Sequence, residues 1–229
     1  MDSRAIVNAE GVVLSRTDWG EADRLATLYT ELHGRVPVRF VGVNRPRAKL
    51  RCLCEPLNRV ELRIHLGGRS GHAKAIGGRI IESFPGVRGD LRRTLEGLAL
   101  AEMLMSLTPD MSPNEDEYRL IVSALETLEA APTPWVVAAF GLRLLGLAGV
   151  GLSKAVVPGV DPPLWEALHA RPWERLGGLP FETAAAGRVL TLMHEAFEAQ
   201  AGREIRALTF LAQAPGFEFG KAFAAKPGA

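Results

Sequence analysis

The stretch HGRVPVRFVGVNRPRAKLRCLCEPLNRVELRIHL, His33–Leu66, holds two alternating segments on either side of a basic centre. In its final part Val60, Leu62, Ile64 and Leu66 share one face, and Arg59, Glu61, Arg63 and His65 share the other. That period of two is the pattern of a half-buried strand. The first part repeats it: Gly34 supplies a turn, Val36, Val38 and Phe40 form an apolar side, and Arg35, Pro37 and Arg39 face away. Pro37 has no N–H to give to a ladder, so this strand is expected at an edge or at a bulge. Between the two strands, Val38–Leu53 carries Arg39, Arg45, Arg47, Lys49 and Arg51 and no acid.

Working outward, Ala9–Trp19 and Asp23–Leu32 read as strands before this stretch. His72–Phe84 reads as a glycine-kinked strand after it, with Gly67–Gly71 as the hairpin turn. Five short antiparallel strands in the first 84 residues predict a small closed sheet, with an OB-fold barrel as the leading form. Cys52 and Cys54 are the only cysteines. Two apart on a strand they would point the same way, so they are read as reduced core residues that staple nothing.

From Pro85 the period becomes helical. Asp90 is placed to cap a helix carrying Leu91, Leu95, Leu98 and Met105. Ser112, Pro113 and Glu115 form a capping-box signature ahead of a stripe of Tyr118, Ile121, Val122, Leu125 and Leu128. Thr133 is read as the cap of Trp135–Leu147, which is apolar nearly all round and therefore the buried centre of a bundle. Val150–Pro180 is irregular, with a short helix over Leu164–Ala170. Thr183–Gln200 and the segment from Gly202 to Gln213 are helical again, and the tail carries Phe217, Phe219 and Phe223. The fold class is thus α+β. The expected domains are a barrel over 1–84, a helical bundle over 85–149, and a C-terminal region over 150–229 packing on the bundle.

Composition narrows the classes. The 229 residues are 47% hydrophobic and 23% charged, ordinary for a globular chain. No run approaches the roughly 18 apolar residues of a membrane span. The N-terminus has no secretory pattern, so a cytoplasmic, nucleoid-associated chain with no membrane partner is expected. The total of 27 Lys+Arg against 26 Asp+Glu hides an asymmetry. Residues 1–84 hold 14 basic and 9 acidic side chains, and the remainder holds 13 and 17.

Catalytic patterns are absent. His33, His65, His72, His169 and His194 share no motif, no nucleophile elbow occurs, and Gly67–Gly71 lacks the Lys-Ser/Thr ending of a phosphate loop. No enzymatic activity, cofactor or metal is expected. Binding fares better. Arg35–Arg79 contains 11 Lys+Arg and only Glu55 and Glu61 as acids, the one-sided charge that tracks a phosphate backbone. Arg35, Arg39, Arg45, Arg47, Lys49, Arg51, Arg63 and Lys74 are the candidate nucleic-acid contacts. Aromatic residues are few in this half (Trp19, Tyr29, Phe40 and Phe84), which makes base stacking a minor expectation.

The ordered series G-E-A-D-R at Gly20–Arg24, H-G-R at His33–Arg35, the G-x-x-R-P segment at Gly42–Pro46, IIESFPGVRGDL, FGLRLLGLAG and HEAFEAQAGREIRALTFL resembles the RecO family. The resemblance implies an OB-fold domain followed by helical regions. It also implies a non-enzymatic recombination mediator that binds single- and double-stranded DNA and anneals complementary strands. With RecR, and RecF in some settings, such a mediator helps place RecA on DNA coated by single-strand-binding protein. The acidic, Phe-ended tail of that coating protein is an implied ligand, for which Arg119, Arg143 and Arg188 on apolar helices are candidate cations. For Arg143 an internal bridge to Glu102 or Glu126 is the alternative. Many family members carry two C-x-x-C pairs after the buried helix, whereas Val150–Phe181 here has no cysteine. No zinc is therefore expected, and Leu164, Trp165, Leu168, Trp173, Leu176, Leu179 and Phe181 must hold the region by packing. The competing classes are a protein-interaction module whose basic barrel binds no DNA, and a hydrolase with an unrecognised site.

Overall fold

The computed structural model describes residues 6–67, 72–152 and 157–213. Most of the Gly67–Gly71 turn, and Phe217, Phe219 and Phe223, lie outside the described residues. The chain divides into two compact units. One comprises Met1–Phe84 with Thr108–Val122, and the other Pro85–Leu107 with Ser123–Ala229.

In the first unit, β1 (Ile6–Trp19), β2 (Asp23–Thr30), β3 (Gly34–Phe40), β4 (Arg59–His65) and β5 (Ala73–Glu82) close into a barrel in the order β1-β2-β3-β5-β4. This is the five-stranded OB-fold. The alternation read from sequence fills it: Val36, Val38, Phe40, Val60, Leu62 and Ile64 are all at most 1% exposed. Closure corrects one expectation, because β3 is not an edge. It pairs with β2 along its length and with β5 only at Val38↔Ala73 and Arg39↔Lys74. On that same side the Arg35 carbonyl accepts the Met111 N–H at 2.9 Å. Residues two apart direct their backbone groups to the same side, so the missing N–H of Pro37 falls between those two attachments. No ladder bond is lost there.

Thr108–Val122 is held to the barrel by side chains from both partners. Arg35 Nε meets Asp110 Oδ1 at 2.6 Å. The Tyr29 hydroxyl donates to Glu117, and the Tyr118 hydroxyl donates to Glu10 at 2.8 Å. Burial raises the pKa of both phenols and of the Glu117 carboxyl, so the hydroxyls stay protonated donors. Gly34, at φ +65°, makes the close approach possible: a Cβ there would lie 2.2 Å from the Ser112 carbonyl oxygen. With Ser112 pressed against that turn, the expected capping box does not form. Helix α3 starts at Glu115, and Asn114 Oδ1 accepts the N–H groups of Asp116 and Glu117 at 3.0 and 3.4 Å. The cysteines also depart from expectation. They lie in a 3₁₀ turn, Arg51–Cys54, which exposes Cys52 and buries Cys54.

The second unit contains α1 (Pro85–Gly89), α2 (Leu91–Leu107), the latter part of α3 (Glu115–Ala130), α4 (Val136–Leu147), α5 (Pro162–Ala170), α6 (Thr183–Ala201) and α7 (Arg206–Gln213). Asp90 caps α2 through Arg93 N–H at 2.8 Å. Thr133 contributes its carbonyl, to Val136 N–H at 3.2 Å. Helix α4 is buried from Val136 through Leu142 and again at Leu144 and Leu145. Its Gly141 leaves room for Met193, whose sulfur would lie 2.2 Å from an added Cβ. Carboxylates from other helices serve two helix starts. Glu129 accepts Gly86 and Val87 N–H, both at 2.8 Å, and Glu102 accepts Arg206 and Ala207 N–H at 3.2 and 2.7 Å. Negative charge at the positive end of a helix stabilises both junctions. Among the described residues no helix is long and apolar enough to cross a membrane.

Candidate nucleic-acid interface

After β3 the chain turns at Gly42 and runs as an arm of successive turns to β4. Two acids from the β1–β2 corner fix where it begins. Asp23 accepts Gly42 N–H at 2.8 Å and the Arg39 guanidinium at 2.6 Å. Asp18 accepts Arg24 Nε at 3.2 Å and Asn44 Nδ2 at 3.3 Å, and Asn44 N–H reaches the Ala22 carbonyl at 2.9 Å. The Gly42 N–H, with Arg39 beside it, holds the Asp23 carboxyl below its ordinary pKa. Asn44 and Arg24 do the same for Asp18.

Beyond Asn44 the arm is two-sided. Val43, Leu53 and Cys54 are buried in the barrel core, with Ala48 and Leu50 packed against it. Arg45, Arg47, Lys49 and Arg51 alternate with them and are exposed. Burial on one side thus turns four cations outward. Among the described residues none of the four has an ion-pair partner. The same is true of Arg63 on β4 and Lys74 on β5, both exposed. Lys74 sits in register with Arg39, so a basic row continues from the arm across β3 to β5. Arg63 lies farther along β4, opposite Asn8 and Gly77.

Two of the eight sequence candidates have other work. Arg35 is spent on Asp110, and Arg39 on Asp23, which in turn anchors the arm. Sequence reading missed Asp23 as the organiser, although its place in G-E-A-D-R could have raised the question. It also gave no sign that Trp19, 41% exposed at the end of β1, meets His72 edge-on with ring centroids 5.3 Å apart.

The candidate cations of the helical region are placed as follows. Arg119 forms an exposed i,i+4 pair with Glu115. Arg143 bridges neither Glu102 nor Glu126. Its Nε donates to the Leu168 carbonyl at 3.0 Å, its Nη2 donates to the Arg171 carbonyl, and its guanidinium lies 4.4 Å from the centre of the Trp173 ring. It thus ties α4 to the carbonyl end of α5, where a cation complements the helix dipole. Arg188 donates to the Gly159 carbonyl at 2.7 Å beside a cleft of about 530 Å³ whose lining includes Val157, Pro158, Ala184, Leu192, Thr191 and Glu195.

The donors present do not fit a thiolate zinc site. Both cysteines belong to the barrel arm, and among the described residues no three His, Cys, Asp or Glu side chains gather where a metal could sit. Leu164, Trp165, Leu168 and Leu176 are instead buried, and the Phe181 ring packs against Trp135 at a 55° tilt, centroids 5.6 Å apart.

Comparison with known proteins agrees with this architecture. Residues 1–84 match the N-terminal domain of recombination protein O, and residues 88–155 match its C-terminal domain. Three relatives carry the name DNA repair protein RecO. The Pelotomaculum thermopropionicum protein is 30% identical over 63% of this chain and 56% of its own length. The Heliobacterium modesticaldum protein is 29% identical over 76% and 64%. The Geobacter metallireducens protein is 32% identical over 67% and 64%. The matched stretch thus spans less than two thirds of each relative. With two adjoining domain matches in chain order and the barrel that the first implies, the chain belongs to the RecO family.

Proposed function

We propose that this chain is a DNA-binding repair protein that acts as a recombination mediator without catalytic turnover. It would anneal complementary strands and, with RecR, help load RecA onto DNA coated by single-strand-binding protein. RecF and RecA would be indirect partners. The observation that carries this reading is the arm, where four outward cations with no ion pair among the described residues sit on a core-anchored, acid-pinned loop of an OB-fold. Such a surface neutralises phosphates and releases counterions, and it reads little sequence. Clustering of Arg45, Arg47, Lys49 and Arg51 with no acid between them favours it over an interaction module whose charge only aids solubility, since a solubilising surface needs only dispersed charge of mixed sign. The name that the relatives carry, DNA repair protein RecO, supports a DNA-repair role.

Docking of the acidic tail of single-strand-binding protein belongs to the same proposal. Such a tail needs an apolar pocket for its aromatic end and a nearby cation for its carboxylates. Arg188, with a single main-chain bond to Gly159 and a partly apolar cleft beside it, meets that description better than Arg119, which is paired with Glu115, or Arg143, which gives two main-chain bonds and packs on Trp173.

Annealing of complementary oligonucleotides precoated with single-strand-binding protein tests DNA and partner engagement together. Acceleration by the chain is expected, with DNA affinity falling by roughly a thousandfold between about 50 and 200 mM salt if about six phosphates are contacted. Absence of DNA binding at either salt would leave the interaction module as the reading. Arg188→Ala is expected to lose the isolated tail peptide while keeping naked-DNA affinity.

A further inference from the structure

We propose that Trp19, steadied by His72, is a base-stacking site that makes the barrel favour unpaired over paired nucleic acid. This rests on the nucleic-acid reading of the barrel and names the form of substrate that the surface selects. A single exposed apolar side chain needs no explanation by itself. Trp19 is set apart by its surroundings, which connect into a closed circuit.

In register, Trp19 faces Asp23 across the last pair of β1 and β2. Asp23 holds Arg39 at 2.6 Å. Arg39 stands beside Lys74 in the β3–β5 pair. Lys74 follows His72 by two residues, and the His72 ring returns to Trp19 at 5.3 Å. One indole therefore sits near Lys74, a cation with no ion-pair partner among the described residues, and near Arg39, which Asp23 holds, at the corner from which the basic arm departs. A nucleotide is built the same way, a flat apolar base beside an anionic phosphate. A surface that offers an aromatic plane and a cation within one nucleotide's reach fits it.

The ring geometry leaves that plane available. The planes of Trp19 and His72 cross at 80°, an edge-on contact. Whichever ring presents its edge, His72 covers at most one face of the indole, and the residue stays 41% exposed. His72 Nδ1 has no hydrogen-bond partner among the described residues, so apolar contact, and no bond from that atom, locates the imidazole. Bases inside a duplex already have both faces stacked, so only an unpaired base can use the free indole face. The cations by themselves attract either form. The aromatic residue supplies the discrimination, and base stacking here is more than the minor effect that the small number of aromatic residues suggests.

The test compares the full chain with Trp19→Ala and Trp19→Phe on a fluorescent oligo(dT) and on a duplex of equal length. Trp19→Ala should weaken oligo(dT) binding roughly five- to hundredfold, the range that alanine substitution of stacking aromatics gives. Duplex affinity should change by less than about twofold, and the salt slope should hold because no phosphate contact is removed. Trp19→Phe should restore most of the loss. It should also abolish a quenching of tryptophan fluorescence that oligo(dT) produces in the parent, a readout that holds even where the alanine variant folds poorly. Unchanged oligo(dT) affinity in Trp19→Ala, equal losses on both forms, or equal quenching in the phenylalanine variant would each overturn the proposal. A parent chain that binds neither form would instead overturn the nucleic-acid reading beneath it.

Discussion

The arm at Gly42–Arg51 and the corner between α4 and α5 use the same side chain in opposite ways. In the arm, arginines are held out by apolar neighbours that face the core, and among the described residues they form no ion pair. At the corner, Arg143 is drawn in, half-buried against Trp173, with its donors on two main-chain carbonyls. Desolvation lowers its pKa, but a guanidinium stays charged. Clustered cations on an irregular loop are free to meet a partner, whereas an isolated cation on a buried helix is committed inside. The charge of an arginine says little about its role until the polar groups around it are known.

The largest expected effect follows from the free end of this contrast. Neutralising Arg45, Arg47 and Lys49 to glutamine should lower the magnitude of the DNA-binding salt slope by about 2.7, since each phosphate contact contributes roughly 0.9. At about 0.1 M salt that corresponds to an affinity loss on the order of a few hundredfold, uniform across sequences. The melting temperature should not move. Titration of a labelled strand at several salt concentrations is the measurement. Retained affinity would place the contacts elsewhere, with Arg203 and Arg206 near α7 the next candidates.

The committed end predicts the reverse. Arg143→Met should keep DNA affinity and cost about 2–3 kcal/mol in denaturant unfolding, because partly buried carbonyls lose a charged donor. Arg143→Lys should recover only part of this, since one ammonium cannot reproduce the planar fork. A destabilisation below about 0.5 kcal/mol would show the corner to be held by packing alone. Chelator treatment sharpens the point: it should leave the melting temperature unchanged, and elemental analysis should find far below one zinc per chain.

Asp23 lies between the two cases, an acid whose work is to position the cations. Its folded pKa is depressed, so its contribution is present above the unfolded value near 3.8 and is lost as pH falls through the folded one. Asp23→Asn should be less stable than the parent near neutrality, by about 1 kcal/mol. The gap should narrow as pH drops below about 4. A constant difference across pH 3 to 7 would remove the charge from the explanation.

The smallest effect is expected at Arg35, whose partner is Asp110. Arg35→Gln should cost about 0.2–1 kcal/mol, the value of a partly exposed ion pair, and leave the salt slope nearly unchanged. A slope change of about 0.9 would return Arg35 to the DNA-contacting set.

Strand alternation over Val36–Phe40 and Val60–Leu66, and the change of period after Pro85, were legible in the sequence because burial of one face imposes a local repeat. The clustering of Arg45, Arg47, Lys49 and Arg51 was legible for the same reason, since proximity along the chain keeps charges together in any fold. What only the tertiary structure decided are contacts between residues far apart in sequence. Asp23 pins Gly42, Asp110 takes Arg35, Glu102 caps α7, and Arg143 closes on α5. Each depends on where backbone donors and carbonyls come to rest once the barrel closes and the helices pack. A hydrogen bond is made or lost within tenths of an ångström, a precision that no local pattern of residues carries.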